Sequence, residues 1–304
     1  MAGTGRRIAV GLGAAWLAWH FFGPEVPPRH QGPQRRPSRL TGRTVVIGRH
    51  EFFVREAGPE DAPVVVLVHG WVYASVGTWH HVIGPLAEQF RVIAVDLRNH
   101  GKSDRIRGRF EIEDACDETA AVLDTLDVSR ATVVGYSMGG MVAQALAVRH
   151  PRLVGRLVLA GTAAFPVPER RGLARAVFAL GRAIGFYSPV FGARLSYWYL
   201  LRTGAVAREH AAWLWETLAD RDVDLYFQSA GAIWRFDARP WAGGIDVPTL
   251  VIVPTRDQLV PPPAQYELAS LIPGAEIVEL VGAKHEAVLT HADDITKEIV
   301  RFAS

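Results

Sequence analysis

Short apolar runs and helical stretches alternate along the chain from Thr44 onward. The apolar runs lie at Val64–Val68, Val92–Val95, Thr132–Val134, Leu157–Leu159, Leu250–Val253 and Glu276–Leu280. Such runs are typical of strands that are buried on both faces of a parallel sheet. Helical patterns separate them at Glu111–Leu126, Met138–Arg149, Pro263–Leu271 and Ala292–Phe302. The alternation predicts a doubly wound α/β fold, with a mostly parallel central sheet flanked by helices.

The interval between Gly161 and Pro248 lacks a good strand pattern. Its helical patterns lie at Arg170–Ile184, Ala193–Leu201, Ala207–Leu218 and Val223–Trp234. We interpret residues 165–244 as a helical cap inserted into an α/β core made of residues 44–164 and 245–304. The cap holds five of the nine tryptophans, namely Trp198, Trp213, Trp215, Trp234 and Trp241. We expect most of them to fill the cap's own core.

The first 43 residues differ in composition from the rest. Residues 1–25 contain an uncharged apolar run from Ile8 to Phe22 after two arginines, and residues 26–43 form a linker rich in proline and arginine. A helix over Ile8–Pro24 would reach roughly 26 Å, slightly short of a bilayer core of about 30 Å. A transmembrane helix, a signal peptide and an interfacial helix remain competing interpretations.

Residues 1–25 therefore predict membrane association through an anchor or a signal-like segment. Arginines are more numerous after the apolar run than before it, which favours a cytoplasmic catalytic domain. A cleaved signal peptide would instead make the protein secreted. The side of the membrane stays open between these alternatives.

The composition is that of a folded globular protein. The chain is 49% hydrophobic and 21% charged, and its net charge of +2 gives no general attraction for nucleic acid. Cys116 is the single cysteine, so no intramolecular disulfide forms, and no Cys/His cluster has the spacing of a zinc site. The sequence predicts neither a metal nor a cofactor.

A candidate nucleophile lies between a predicted strand and a predicted helix. The motif is Gly135-Tyr136-Ser137-Met138-Gly139, directly after Thr132–Val134. In a G-x-S-x-G elbow the serine occupies a strained turn that exposes its hydroxyl, and glycines avoid collisions there. The position of the motif makes Ser137 the predicted nucleophile.

A second motif, His69-Gly70-Trp71, follows the strand Val64–Val68. A tetrahedral oxyanion needs two convergent backbone N–H groups, and we predict those of Trp71 and Met138. Gly70 lets the backbone turn towards the site. His69 is assigned a structural role, hydrogen-bonding the loop.

The predicted acid and base follow two later strands. Asp257 comes after Leu250–Val253 and His285 after Glu276–Leu280, at the sheet edge where open α/β sheets build their sites. The order serine, acid, histidine suits a hydrolase triad. Other acids and histidines are rejected because they cap helices, shape turns or do not follow a strand at that edge. They are Asp124, Asp237, Asp246, His80, His81, His100, His150 and His291.

The stretch from Asp96 to Asp104 resembles a D-x-R-G-H-G-x-S-D loop, with Asn99 where glycine is usual. With the motifs above, it makes residues 44–303 resemble the α/β-hydrolase family, in its cap-bearing esterase, lipase and peroxidase-like branch. The resemblance implies that this loop is structural. It also sets the chain apart from dehalogenases and epoxide hydrolases, which place an aspartate where Ser137 stands.

These observations predict a serine hydrolase that cleaves a carboxylic ester of a small hydrophobic substrate through an acyl-enzyme. Thioester hydrolysis, carbon–carbon hydrolysis and haloperoxidase-like activity are enzymatic alternatives. A non-catalytic scaffold or binding protein at a membrane is the alternative from another class. Proteins of that kind commonly lose a triad member, and here all three residue types are present.

Overall fold

The computed structural model describes residues 32–33, 41–165, 172, 179–180, 183 and 188–304. The predicted anchor at residues 1–25, most of the linker 26–43 and most of the first predicted cap helix lie outside them. Among the residues so described, no helix combines the length and apolarity needed to cross a bilayer.

An eight-stranded sheet organises the described chain, and its strands are β1 (Arg43–Ile47), β2 (His50–Ala57), β3 (Val64–Val68), β4 (Arg91–Val95), β5 (Ala131–Tyr136), β6 (Val154–Ala160), β7 (Thr249–Pro254) and β8 (Glu276–Leu280). Their order across the sheet is β1-β2-β4-β3-β5-β6-β7-β8. Strand β2 pairs antiparallel with β1 and β4, and every other neighbouring pair is parallel. The predicted fold class is confirmed.

Helices connect the strands, and those described are α1 (Ser75–Trp79), α2 (Ile83–Leu86), α3 (Ile112–Thr125), α4 (Met138–Arg149), α5 (Pro189–Arg202), α6 (Ala211–Ala219), α7 (Val223–Arg235), α8 (Pro262–Leu271), α9 (Ala287–Thr290) and α10 (Ala292–Ala303). Two short 3-10 turns lie at Arg208–His210 and Ala242–Gly244. Of the described residues, 41–165 and 225–304 belong to one compact unit, which holds the sheet, and 188–224 belong to a second.

The hydrophobic core of the larger unit lies on the two faces of the sheet. Every residue of β5 and β7 is buried, as expected for strands covered on both sides. Helix α4 is equally apolar, with all residues from Met138 to Ala147 buried, so it packs closely beneath the strand that precedes it. This packing fixes the turn between β5 and α4, where the candidate nucleophile lies.

The smaller unit has a core of its own between α5 and α6. Trp213 and Trp215 are buried there, and the Trp215 ring meets Tyr197 edge-on at 5.9 Å. Trp198, by contrast, is 54% exposed on α5 and does not belong to this core. Trp241 belongs to the larger unit, where it packs against Phe236 and the main core. The cap boundaries at 165 and 244 stay a prediction.

Candidate active site

Ser137 occupies the sharp turn between β5 and α4. Its backbone angles are φ 53° and ψ −120°, a left-handed φ that is strained for a residue with a side chain. A Cβ on Gly139 would lie 2.2 Å from the Val68 carbonyl oxygen, and one on Gly135 would lie 2.4 Å from the Gly139 carbonyl oxygen. The two flanking glycines are therefore required by close backbone packing, which holds the serine in its strained conformation.

The structure brings Ser137, His285 and Asp257 together from three loops. His285 Nε2 lies 3.1 Å from Ser137 Oγ, and His285 Nδ1 lies 2.7 Å from Asp257 Oδ2. Each loop follows the carboxyl end of a parallel strand, namely β5, β7 and β8. Since adjacent parallel strands end at one edge of the sheet, residues up to 148 positions apart in sequence come into contact.

The Asp257 carboxylate is buried and surrounded by donors. Its Oδ1 accepts hydrogen bonds from the backbone N–H groups of Leu259 and Val260, each at 2.8 Å. Its Oδ2 faces His285 Nδ1, so the proton of the neutral ring belongs on that nitrogen. This tautomer leaves the lone pair of Nε2 directed at the Ser137 hydroxyl, which is the arrangement that proton abstraction needs.

Tyr136 joins the nucleophile's turn to the loop of His285. Its hydroxyl donates to the His285 carbonyl oxygen at 2.6 Å, and the two rings lie 5.2 Å apart. The residue preceding the serine thus holds the backbone of the histidine that contacts the serine. The sequence pattern does not predict this role for Tyr136, because the contact spans 149 positions.

His69 orients one peptide of the loop after β3. The Leu97 N–H donates to Nε2 of the fully buried His69 at 2.9 Å, so Nδ1 carries the proton and donates to the Gly70 carbonyl oxygen at 2.7 Å. In a trans peptide the Trp71 N–H points away from that carbonyl oxygen. His69 therefore sets the direction of a predicted oxyanion donor and does not contact Ser137 itself.

The second predicted donor, the Met138 N–H, belongs to the first residue of α4. N–H groups in the first turn of a helix have no partner within the helix and carry the positive end of its dipole. A Cβ on Gly70 would lie 3.3 Å from the Ser137 Cβ, so the loop after β3 packs directly against the serine. The roles of Trp71 and Met138 stay predictions.

The side chain of Trp71 contacts helix α7. The sequence pattern alone does not predict this contact. The indole N–H of Trp71 donates to the Tyr226 carbonyl oxygen at 2.8 Å, and the two rings stack at 4.2 Å. The carbonyl of Trp71 contacts His100 Nε2 at 3.0 Å. Tyr226 and His100 thus hold the loop that carries a predicted oxyanion donor.

The loop after β4 forms a buried polar network. Burial alone would raise the pKa of Asp96, but the charge of Arg55 and hydrogen bonds from Ser75 and Lys102 lower it below its usual range. Asn99 has φ 65°, a left-handed conformation that glycine and asparagine tolerate best. This explains why asparagine can replace the usual glycine there.

One described group of residues, Cys116, Asp117 and His150, has potential metal ligands within 4.8 Å of one another. Arg149 binds both carboxylate oxygens of Asp117, at 3.0 and 2.5 Å, and so supplies the positive charge itself. Burial raises the pKa of the Cys116 thiol to about 12, which disfavours the thiolate that a metal requires. The group is better described as an ion-pair network beside a buried thiol.

We expect His69 to make folding stability depend on pH below about 6.5. Burial lowers the pKa of His69, and this outweighs the attraction of Asp96. As the pH falls below about 6.5 the unfolded chain binds a proton at His69 that the folded chain does not, so stability present above that pH is lost. Urea unfolding at pH 7.5 and 5.5 should show a larger loss for the parent than for His69→Gln. An equal loss in both proteins would contradict the expectation.

Comparisons with known proteins identify the family of this fold. The family model of the alpha/beta hydrolase fold matches residues 63–292. A pimeloyl-[acyl-carrier protein] methyl ester esterase from Neisseria meningitidis is 32% identical over 252 residues, covering 79% of this chain and 93% of the relative. The crystal structure of an enol-lactonase from Burkholderia xenovorans is 32% identical with a TM-score of 0.73, covering 86% of this chain and 99% of the other.

A further similarity is partial. An uncharacterized protein from Mycobacterium tuberculosis is 38% identical over 123 residues, which are 40% of this chain. The chain therefore spans about a third, 35%, of the length of that relative.

Proposed function

Because the chain belongs to the alpha/beta hydrolase family, we propose that it is a serine hydrolase that cleaves carboxylic esters of hydrophobic substrates. The observation that carries the proposal is the unbroken line of contacts from Ser137 Oγ to His285 (3.1 Å) and on to Asp257 (2.7 Å). A serine hydroxyl is a weak nucleophile until a base accepts its proton, and an aligned imidazole and carboxylate meet that need.

The reaction proceeds in two halves. His285 Nε2 accepts the proton of Ser137 as Oγ attacks the ester carbonyl, and the backbone N–H groups of Trp71 and Met138 stabilise the oxyanion. The tetrahedral intermediate collapses, and His285 donates the proton to the departing alcohol. Water then gives a proton to His285 as its oxygen attacks the acyl-enzyme, and His285 returns that proton to Ser137 Oγ as the acid departs. Asp257 stabilises the imidazolium in both halves.

The named relatives favour oxygen esters as the substrate class. One is a methyl ester esterase and the other an enol-lactonase, so each acts on an acyl–oxygen bond according to its name. The same nucleophile could attack thioesters, and these rank second.

A panel of substrates tests the proposal. We expect the full chain to hydrolyse p-nitrophenyl esters of graded acyl length, a dicarboxylate methyl ester and an enol-lactone, with a higher kcat/KM for the best oxygen ester than for the matching thioester. Turnover of none of these by folded protein would favour the scaffold alternative. A higher kcat/KM for the thioester would show that thioesters, and not oxygen esters, are the preferred substrate class.

We also propose that residues 1–25 associate the protein with a membrane. The support is the uncharged apolar run from Ile8 to Phe22 with Trp16 and Trp19. The described residues include a second exposed aromatic surface on α5, where Trp198 is 54% exposed and Tyr199 is 51% exposed. Aromatic side chains of these two types are common at membrane–water interfaces.

Cell fractionation tests the membrane proposal. The full chain should sediment with membranes, whereas a chain lacking residues 1–25 should shift to the soluble fraction and keep its esterase activity. An unchanged distribution after the deletion would rule out residues 1–25 as the tether.

A further inference from the structure

Gln265 is a fully buried polar side chain on α8, beside the candidate acid. Its Nε2 lies 2.7 Å from the Val260 carbonyl oxygen and 3.3 Å from Asp257 Oδ2. Both neighbours are acceptors, so the amide must present its NH₂ group to them and not its oxygen. The contacts thus define the orientation of the side chain.

The other end of the amide is not satisfied by the described residues. Gln265 Oε1 is buried and has no hydrogen-bond partner there. A buried polar atom without a partner lowers the stability of the fold. An apolar side chain of similar size would remove the unpaired oxygen, but it would also leave the Val260 carbonyl oxygen and Asp257 Oδ2 without the Nε2 donor.

We infer that Gln265 is a positioning residue for the reaction, which fixes the Asp257 carboxylate in the orientation that His285 requires. This inference rests on the proposed function. Val260 donates to Asp257 Oδ1 through its N–H and accepts from Gln265 through its carbonyl, so the three residues form a closed ring of hydrogen bonds. The ring leaves Oδ2 directed at His285 Nδ1.

This ring of hydrogen bonds favours the ionised form of the Asp257 carboxylate. The Gln265 N–H stabilises negative charge on Oδ2, and this charge is what stabilises the imidazolium of His285 during each proton transfer. Without that donor the Asp257 carboxylate is freer to rotate away from the His285 imidazole. Substrate binding does not involve Gln265, because the residue lies behind the carboxylate and is fully buried.

The test replaces Gln265 with methionine, which keeps the length of the side chain but removes its amide. We expect kcat for the best ester to fall on the order of tenfold, the scale of one hydrogen bond to a charged group. KM should change less than about twofold. The melting temperature should fall modestly, because the Val260 carbonyl oxygen loses its donor, and the loss of kcat should persist at temperatures where the variant is fully folded. Gln265→Leu removes the same amide with a different shape, and it should lose kcat as well.

The chain offers a matched control in Gln144 on α4. Gln144 is also fully buried, its Nε2 contacts the Ala163 carbonyl oxygen at 3.3 Å, and its Oε1 has no partner among the described residues. Gln144→Met should keep the kcat of the parent. If both folded variants at position 265 keep the parent kcat, or if Gln144→Met loses as much, the inference is overturned.

A readout without turnover separates this inference from the proposed function. In the parent, the proton on His285 Nδ1 should give a downfield NMR resonance, and in Gln265→Met it should exchange faster with solvent and move upfield. An unchanged resonance overturns the role of Gln265 even if the enzyme is active. A parent with this resonance that hydrolyses no ester would contradict the proposed function instead.

Discussion

Ser137→Ala is expected to lower kcat for ester hydrolysis by roughly six orders of magnitude, the scale seen when a triad serine is removed. Alanine leaves His285 and Asp257 in place but gives the imidazole no hydroxyl to deprotonate. The measurement is steady-state hydrolysis of the best p-nitrophenyl ester at high enzyme concentration. KM should change little, because the oxygen that is lost acts in bond formation.

Two comparisons sharpen this prediction. Since the residues act as one unit, the double variant Ser137→Ala/His285→Ala should be no slower than Ser137→Ala alone. Ser270→Ala changes a serine on α8 whose hydroxyl bonds to its own helix, and it should keep the parent rate. A folded Ser137→Ala protein with parent-like kcat would rule out Ser137 as the nucleophile.

Asp257→Asn is expected to lower kcat by about four orders of magnitude. The carboxylate accepts from Leu259 and Val260 on one oxygen and faces His285 on the other. An amide has a single acceptor oxygen, so the NH₂ group of the new asparagine must face either the two backbone N–H groups or His285 Nδ1. If it faces His285, the ring proton moves to Nε2 and the base loses the lone pair that should accept the proton of Ser137.

The measurement for Asp257→Asn is the pre-steady-state burst of p-nitrophenol together with kcat. The burst should slow with kcat, because acylation itself is impaired. Asp246→Asn is the matched control, since Asp246 is an exposed aspartate shortly before β7, and it should behave like the parent. An Asp257→Asn burst within tenfold of the parent would show that another group orients the imidazole.

The order of elements could be predicted from sequence because the central strands are buried on both faces. The predicted runs Val64–Val68 and Glu276–Leu280 match β3 and β8 residue for residue. Strand β8 lies at the edge of the sheet and is mostly exposed, so the expectation of burial on both faces is wrong for it. Helices α1, α2 and α9 were not predicted, because elements of four or five residues are too short to show a helical period. The sequence did not reveal which of the five cap tryptophans is exposed, because a residue count does not show which face of α5 is covered.

The convergence of Ser137, His285 and Asp257 could be predicted because each follows a parallel strand, and such strands end at one edge. The partners that orient these residues could not. The contacts of Tyr136 and Tyr226 span 149 and 155 positions, and they depend on how side chains pack after folding. Topology reveals which loops meet, but not which neighbouring side chains hold them in place.

Covalent capture by a fluorophosphonate tests the central claim most directly. The full chain is incubated with the reagent and digested, and the adduct is located by peptide mass spectrometry. The account predicts one adduct, on the peptide that carries Ser137, with none in Ser137→Ala and strongly slowed labelling in His285→Ala. A folded parent that takes up no reagent, or an adduct elsewhere with Ser137 unmodified, would contradict it.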